Sequence, residues 1–486
     1  MVFKDLREFL AALKRRGELH EISAPVDKDE EIGVICSENS RVRGPALIFR
    51  NINGFRTPLV TGVLGTEQRY FLALNVTPQL PAVYERWVAA LENPIPPRIV
   101  AEAPCQEVDL DGVDLFSDPF PVPRWHALDG GPELGTFHSV ISRGPDGSLN
   151  CGLYRNQIFD QETLGIYIAT AQRHIGRHWE EWRKINKPLP VAIAVGLDPY
   201  LTILSASSLP EGVSEYEVAG ALMGEPYELV RAKTSDLLVP ARAEIILEGE
   251  IPTDRFHAQE GPFGEFSGFM SPVQANSHYI RIRKVTHRQG PLFQGTYEGK
   301  FFNESKVVRS YMRSVFTLKY LRDAGITGVR DVCVTPGSCA AFHTVVALRK
   351  SSPEQVREVL TLVLNQPDMA YKFCLVVDED VDPWDWQQVE WAMATRVQAG
   401  RDVLILKGRS TPMDPSQVPS KRGESDLLGI DATSPVEEYA REEAAMPALA
   451  DPTCAQVEKI MGRWGELGLP VPPGGYRPCP GRKENP

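Results

Sequence analysis

Between Asp109 and Pro132 the chain cannot be written as helix. Asp118-Pro-Phe-Pro-Val-Pro-Arg124 and Asp129-Gly-Gly-Pro132 place prolines and glycines too close together for an intrahelical ladder. A domain boundary is therefore expected near residue 105, followed by a segment built from turns and short strands. Upstream, Phe3, Leu6, Phe9, Leu10 and Leu13 share one face of a helix over Phe3–Arg16, with Gly17 just past its end. That spacing predicts an amphipathic helix that docks on the rest of the chain. Downstream, Val191–Val195, Ala243–Leu247 and Ile280–Val285 are short, branched runs next to Gly, Pro or Asp, the pattern of a mixed or antiparallel sheet. After about residue 320 a periodic helix, Glu354–Leu364, precedes a buried strand, Phe373–Asp378, as in an α/β layer. Val436–Met446 and Ala455–Leu467 are expected as helices reaching to a partner subunit, and a Pro/Gly-rich tail follows from Pro470. At 486 residues, length suggests about three domains.

Charge and cysteines narrow the function classes. Lys+Arg 52 against Asp+Glu 64 gives a net charge of -12, a surface that repels phosphate backbones and anionic lipids, so no nucleic-acid partner is expected. The first residues interleave charges with apolar groups where a signal peptide needs an apolar run. The longest apolar stretch, Val332–Leu348, contains Pro336, Gly337 and His343, short of the ~20 residues of a spanning helix, so no membrane insertion is expected. Eight cysteines without a CxxC pair read as reduced thiols and a cytoplasmic location. No GxGxxG opens a helix, and GxxxxGK[ST] and GxSxG are absent, which removes the phosphate or nucleophile machinery of dinucleotide, P-loop and α/β-hydrolase enzymes.

Three segments carry polar groups suited to chemistry. In Asn150-Cys-Gly-Leu-Tyr-Arg-Asn-Gln157 an amide and a guanidinium stand five positions apart; an extended backbone would span about 16 Å, from the phosphate of a cofactor to its ring, or form an ordinary polar edge strand. Ser214-Glu-Tyr-Glu217 offers two carboxylates on one side if extended, either a hard-cation ligand set or a solvated face. With His174, Asn150 and Glu215 make an O,N,O set that suits Mn²⁺ or Mg²⁺. Glu260-Gly-Pro-Phe-Gly-Glu265 fits neither helix nor central strand, so the chain turns there and either aims both acids into one cavity, where their pKa values separate, or exposes them to water.

These segments, in this order, with Ser214–Gly220, Leu238–Ala241, Ala243–Gly249, Asp378–Arg401 and Gly429–Thr433, resemble the UbiD family of prenylated-FMN decarboxylases from the N-terminal helix to about residue 435. The resemblance implies an α/β (α+β) fold in three parts. An N-terminal α/β region (1–105) would precede a central split β-barrel that binds the flavin (106–315) and a C-terminal α/β dimerisation domain with a helical extension (316–486). It implies Mn²⁺ on Asn150, His174 and Glu215, commonly with K⁺ nearby, clamping the phosphate of prenylated FMN. Cofactor contacts would come from Asn150, Arg155, Gln157, Ser207, Ser208, Pro210, Glu215 and Lys421. It also implies a catalytic set of Arg155, Glu260 and Glu265, in which Arg155 and Glu260 orient a substrate carboxylate and Glu265 is the acid/base.

The implied activity is reversible, non-oxidative decarboxylation of an aromatic, heteroaromatic or α,β-unsaturated acid. It would run in a homodimer or larger homo-oligomer supplied with cofactor by a flavin prenyltransferase. The competing readings are a flavin-binding or scaffolding subunit of a larger carboxylase and a flavin-free Mn²⁺ decarboxylase. Two segments depart from the family pattern: Gly299-Lys-Phe-Phe302 stands where relatives often carry GKPP or GRPP, and the link from Lys421 to Gly429 is longer. Pro123–His126 and Thr136–His138 are bulkier than in relatives and either shape a substrate pocket or fill the core, the core being the favoured reading.

Overall fold

The computed structural model describes residues 2–168, 174–207, 209, 212–255, 259–450 and 452–470. Two compact units divide the chain, Met1–Met312 and Arg313–Pro486.

The first unit opens with the expected helix, Leu6–Arg15. Asp5 caps it by accepting from Glu8 N at 2.9 Å, and Leu6, Phe9, Leu10 and Leu13 are buried together with Phe3. Its docking also has a polar anchor that periodicity does not reveal. Arg7 grips the fully buried Glu244 through Nε at 2.8 Å and Nη2 at 2.7 Å, and Arg288 links Glu244 to Asp5. A four-stranded sheet follows, in the order Leu19–Ile22, Ala46–Phe49, Leu59–Thr61, Phe293–Gln294.

The centre of this unit is an antiparallel sheet of seven strands. Its order is Val108–Asp109, His278–His287, Ile245–Ile251, Leu189–Val195, Ser139–Arg143, Leu149–Gly152, with Thr163–Ile166 also paired to His278–His287. The sheet is open: among the described residues its outer strands do not pair with each other, so no closed barrel forms. Val191, Ile193, Val195, Ile245, Leu247, Ile280, Ile282 and Val285 build one core, and Ile175 and Trp179 of the helix His174–Lys184 pack into it. A bulge at Glu248/Gly249 bends the strand where a Cβ on Gly249 would lie 2.4 Å from Arg281 O, a contact only glycine permits.

The second unit is a five-stranded sheet ordered Val329–Val334, His343–Leu348, Phe373–Asp378, Glu424–Ala432, Val403–Arg409. The three inner strands are parallel, and the helix Pro353–Leu364 makes the crossover, burying Val356, Val359, Leu360 and Val363. The tail helices are shorter than the spacing predicts. Val436–Arg441 stops before Glu443, which has φ 53°, and Cys454–Met461 stops at Gly462, with a separate 3₁₀ turn at Trp464–Leu467.

Candidate active site

Arg155 lies in the connection that leaves the strand Leu149–Gly152. Leu153 N donates to Ser205 O at 2.9 Å, and Leu134 N donates to Asn156 O at 2.9 Å, so the backbone is held on both sides of the arginine. The guanidinium sits between the rings of Tyr167 and Phe263, at 4.8 and 4.7 Å from their centroids. In this slot it reaches both acids of the Glu260–Glu265 segment: Nη1 donates to Glu265 Oε1 at 2.6 Å and Nε to Glu260 Oε1 at 3.4 Å. The turn expected there is present, and both carboxyls meet on one arginine.

Glu260 ends a short strand, Gln259–Glu260, paired with Gln274–Ala275, and is fully buried. Gly261 N then donates to Gln157 Oε1 at 2.9 Å, and Gly130 N donates to Pro262 O at 2.8 Å. The Asp129-Gly130-Gly131 turn is thus packed directly on the acidic segment. A Cβ on Gly130 would stand 2.1 Å from Gly261 O, which explains the glycine.

Burial pushes the Glu260 carboxyl up to about 7, with Arg155 pulling it back. Glu265 is raised for the same reason, opposed by Arg155 and pushed further by Glu298. For Arg155 the order of effects reverses its outcome: burial disfavours the cation, yet Glu260 and Glu265 outweigh that and raise its pKa. Two polar atoms of this cluster are buried without a partner, Arg155 Nη2 and Glu260 Oε2. An unused donor beside an unused acceptor is costly in a closed protein and ordinary in a site that takes a polar ligand.

The raised Glu260 has a measurable consequence. A carboxyl that holds its proton to about pH 7 when folded, against 4.5 when unfolded, stabilises the fold fully below 4.5, and that contribution is lost as pH rises to 7. The loss is about 3 kcal/mol at about 1.4 kcal/mol per pKa unit. Glu260→Gln, which cannot ionise, is expected to flatten this slope. Urea unfolding of both proteins at the two pH values checks it.

The second cluster surrounds Asn150. Ser142 pairs with Asn150 across the strands, and Ser142 Oγ and Ser148 Oγ each lie 3.0 Å from a ring nitrogen of His178. His178 is one turn along the helix that His174 begins, and His174 itself is half-buried. Glu215 receives the backbone N–H of Cys151, next to Asn150, and its carboxyl is pushed up to about 7 by burial. Asn150 Nδ2 and Glu215 Oε2 are both buried without a partner. The orphaned Glu215 Oε2 is an acceptor suited to a cation, whereas the orphaned Asn150 Nδ2 is a donor suited to an anion such as a phosphate oxygen; Asn150 Oδ1 accepts from Tyr154 Oη at 3.5 Å.

Among the described residues, no group of three or more His, Cys, Asp or Glu side chains is arranged to hold a metal. The expected set contains only two such residues and an amide. The extended backbone that would put Glu215 and Glu217 on one side is not what forms. The segment is the start of the helix Glu215–Met223, where residues two apart diverge, and Glu215 is buried while Glu217 is half-buried.

Other expected contacts fall variously. Ser207 is half-buried, with Oγ donating to Ile203 O at 2.7 Å; Ser208 and Pro210 lie outside the described residues. Gln157 has its carbonyl engaged by Gly261 N. Lys421 belongs to the second unit, exposed at the end of the 3₁₀ turn Pro419–Lys421. Trp125, Phe137 and His138 are core residues as assigned, whereas Arg124 is exposed and His126 is only partly covered. The chain periodicity gives no sign of His126, Asp129, Tyr167 or Phe263 at the site. The one available signal was the Gly-Gly pair after Asp129, which marks a close backbone approach.

Three family models match in succession. They are the 3-octaprenyl-4-hydroxybenzoate carboxy-lyase N-terminal domain over 10–87, its Rift-related domain over 98–301 and its C-terminal domain over 306–432. Among solved structures, an evolved dimeric form of the UbiD-class enzyme HmfF from Pelotomaculum thermopropionicum, in complex with prFMN, is 31% identical with TM-score 0.81, covering 93% of this chain and 97% of that one. The vanillic acid decarboxylase of Sedimentibacter hydroxybenzoicus in its open form is 31% identical with TM-score 0.85, covering 96% and 100%. The 3,4-dihydroxybenzoic acid decarboxylase of Enterobacter cloacae is 26% identical with TM-score 0.82, covering 94% and 100%. With an arginine holding a buried and a half-buried acid in one cluster and family matches along most of its length, the chain belongs to the UbiD family and is a carboxy-lyase.

Proposed function

We propose that the chain decarboxylates, reversibly and without net oxidation, an aromatic, heteroaromatic or α,β-unsaturated carboxylic acid. The observation that carries this reading is the unpartnered, buried Nη2 of Arg155 beside two carboxyls of raised pKa. A substrate carboxylate takes that N–H, a charge-assisted bond that aims the scissile C–C bond, and Glu260 keeps the guanidinium in place. When CO₂ leaves, its bonding electron pair stays on the substrate carbon, and Glu265 delivers the proton from its carboxyl to that carbon; in the reverse direction it removes one. The raised pKa suits this role, because a glutamic acid of ordinary pKa holds no proton near neutrality.

Prenylated FMN, when bound, supplies the electron sink for this bond cleavage. Asn150, His174 and Glu215 would hold Mn²⁺, with K⁺ nearby, and Arg155, Gln157, Ser207, Ser208, Pro210 and Lys421 would line the flavin. The metal fit rests on the buried, unpartnered Glu215 Oε2, and the unpartnered Asn150 Nδ2 suits a phosphate oxygen. On this reading a flavin prenyltransferase supplies the cofactor, the parts are 1–105, 106–315 and 316–486, and the protein is a homo-oligomer. The free thiols of Cys36, Cys105, Cys151 and Cys374, all buried, support a cytoplasmic setting. No helix among the described residues is long and apolar enough to cross a membrane.

Anaerobic co-expression with a flavin prenyltransferase, then mass spectrometry of the co-purified small molecule and a screen for CO₂ release from unsaturated and aromatic acids, tests the reading. Turnover by the purified single chain excludes a scaffold role, and absence of flavin refutes the cofactor assignment. Glu215→Gln is expected to cut bound manganese by at least about tenfold, the effect seen even for outer partners of a metal. Elemental analysis of the purified protein measures it.

A further inference from the structure

The turn that carries Glu265 closes on itself: Glu265 N donates to Phe269 O at 3.0 Å and Gly268 N to Glu265 O at 2.8 Å. These bonds fix its shape and not its place. Placement comes from outside, and the contact nearest Glu265 is Gly264. Asp129 Oδ1 accepts from Gly264 N at 3.0 Å, while Asp129 Oδ2 accepts from His126 N at 2.8 Å and faces His126 Nδ1 at 3.2 Å. The His126 ring is held at its other end by Glu298 O, 2.6 Å from Nε2, and is tilted over Tyr297 with centroids 4.6 Å apart. It lies so close over Gly264 that a Cβ there would stand 2.1 Å from the ring. Burial disfavours the imidazolium, yet Asp129 and the Glu298 carbonyl outweigh it and hold His126 above its ordinary pKa. Asp129 is itself buried.

We propose that His126 and Asp129 are positioning residues that clasp Gly264, Asp129 through its N–H and His126 through the ring packed against its Cα, and so hold the Glu265 carboxyl against Arg155. Neither need touch substrate; they act through the backbone next to the acid. The proposal rests on the reading of Glu265 as the acid/base.

Amide hydrogen exchange on the flavin-free full chain is the first test. In Asp129→Ala the peptide covering 261–270 is expected to exchange about tenfold faster or more, while the core strand His278–His287 keeps its protection. On the flavin-loaded enzyme, kcat is expected to fall about 10–100-fold with KM within about threefold, the signature of a misplaced catalytic group. Asp129→Asn, which keeps one acceptor oxygen, is expected to recover part of kcat. If Asp129→Ala does not fold, His126→Gln carries the same two measurements. Unchanged exchange at 261–270, unchanged kcat, or faster exchange throughout the chain would overturn the proposal. A wild-type chain that releases no CO₂ from any acid refutes the functional reading instead, and the exchange measurement still decides the clasp.

Discussion

Glu265→Gln is expected to lower kcat for CO₂ release by about 10²–10⁴-fold, the range lost when a positioned general acid is removed. The amide keeps the shape of the carboxyl and can still accept from Arg155 Nη1 through its oxygen, which now stands 2.6 Å from Glu265 Oε1. Flavin content and folding should therefore be unchanged, and the loss should fall on kcat. Exchange of the substrate's ring or vinyl hydrogen with deuterium in D₂O, followed by NMR, gives a second readout of the same proton transfer. A variant with wild-type turnover would remove Glu265 from the acid/base role.

Arg155→Leu should do more damage, because it strips a shared cation from the buried Glu260 and the half-buried Glu265. Breaking a buried charge pair by removing one partner costs about 3–5 kcal/mol. Both carboxyls are already raised, and without the arginine, which lowers both, their pKa values climb further. The sign follows. Folded-state pKa values above the unfolded ones give stability that is present at low pH and lost as pH rises. The variant should thus be close to wild type at pH 5 and most deficient at pH 8, as urea unfolding at the two values would show. Activity should fall too, with kcat/KM down about 30- to 5,000-fold, from the roughly 2–5 kcal/mol that a truncated buried charge pair loses. The same stability deficit at both pH values would mean that Arg155 matters through packing between Tyr167 and Phe263 and not through its charge.

Much of this was legible in the amino-acid string. The strand Phe373–Asp378, the helix over 353–364 and the buried face of the first helix follow from periodicity, because a 3.6- or 2-residue repeat is a local property. The turn at Glu260–Glu265 follows from its Gly-Pro and Gly, which exclude regular structure. The order of these segments is what carried the resemblance to carboxy-lyases and, with it, the candidate residues.

Sequence could not decide what meets what. Whether Glu260 and Glu265 face water or an arginine depends on Arg155, more than 100 positions away, and only the folded sheet brings them within hydrogen-bond reach. The same holds for Asp129 on Gly264, whose partners are separated by 135 residues, and for Arg7 on Glu244, separated by 237. An isolated four-residue segment does not reveal that Glu215 starts a helix, so whether Glu215 and Glu217 share a side is decided only by the fold. Local repeats record which face of an element is buried. The pKa values that permit acid/base chemistry arise from desolvation and long-range charge contacts, and those exist only once the chain has closed around them.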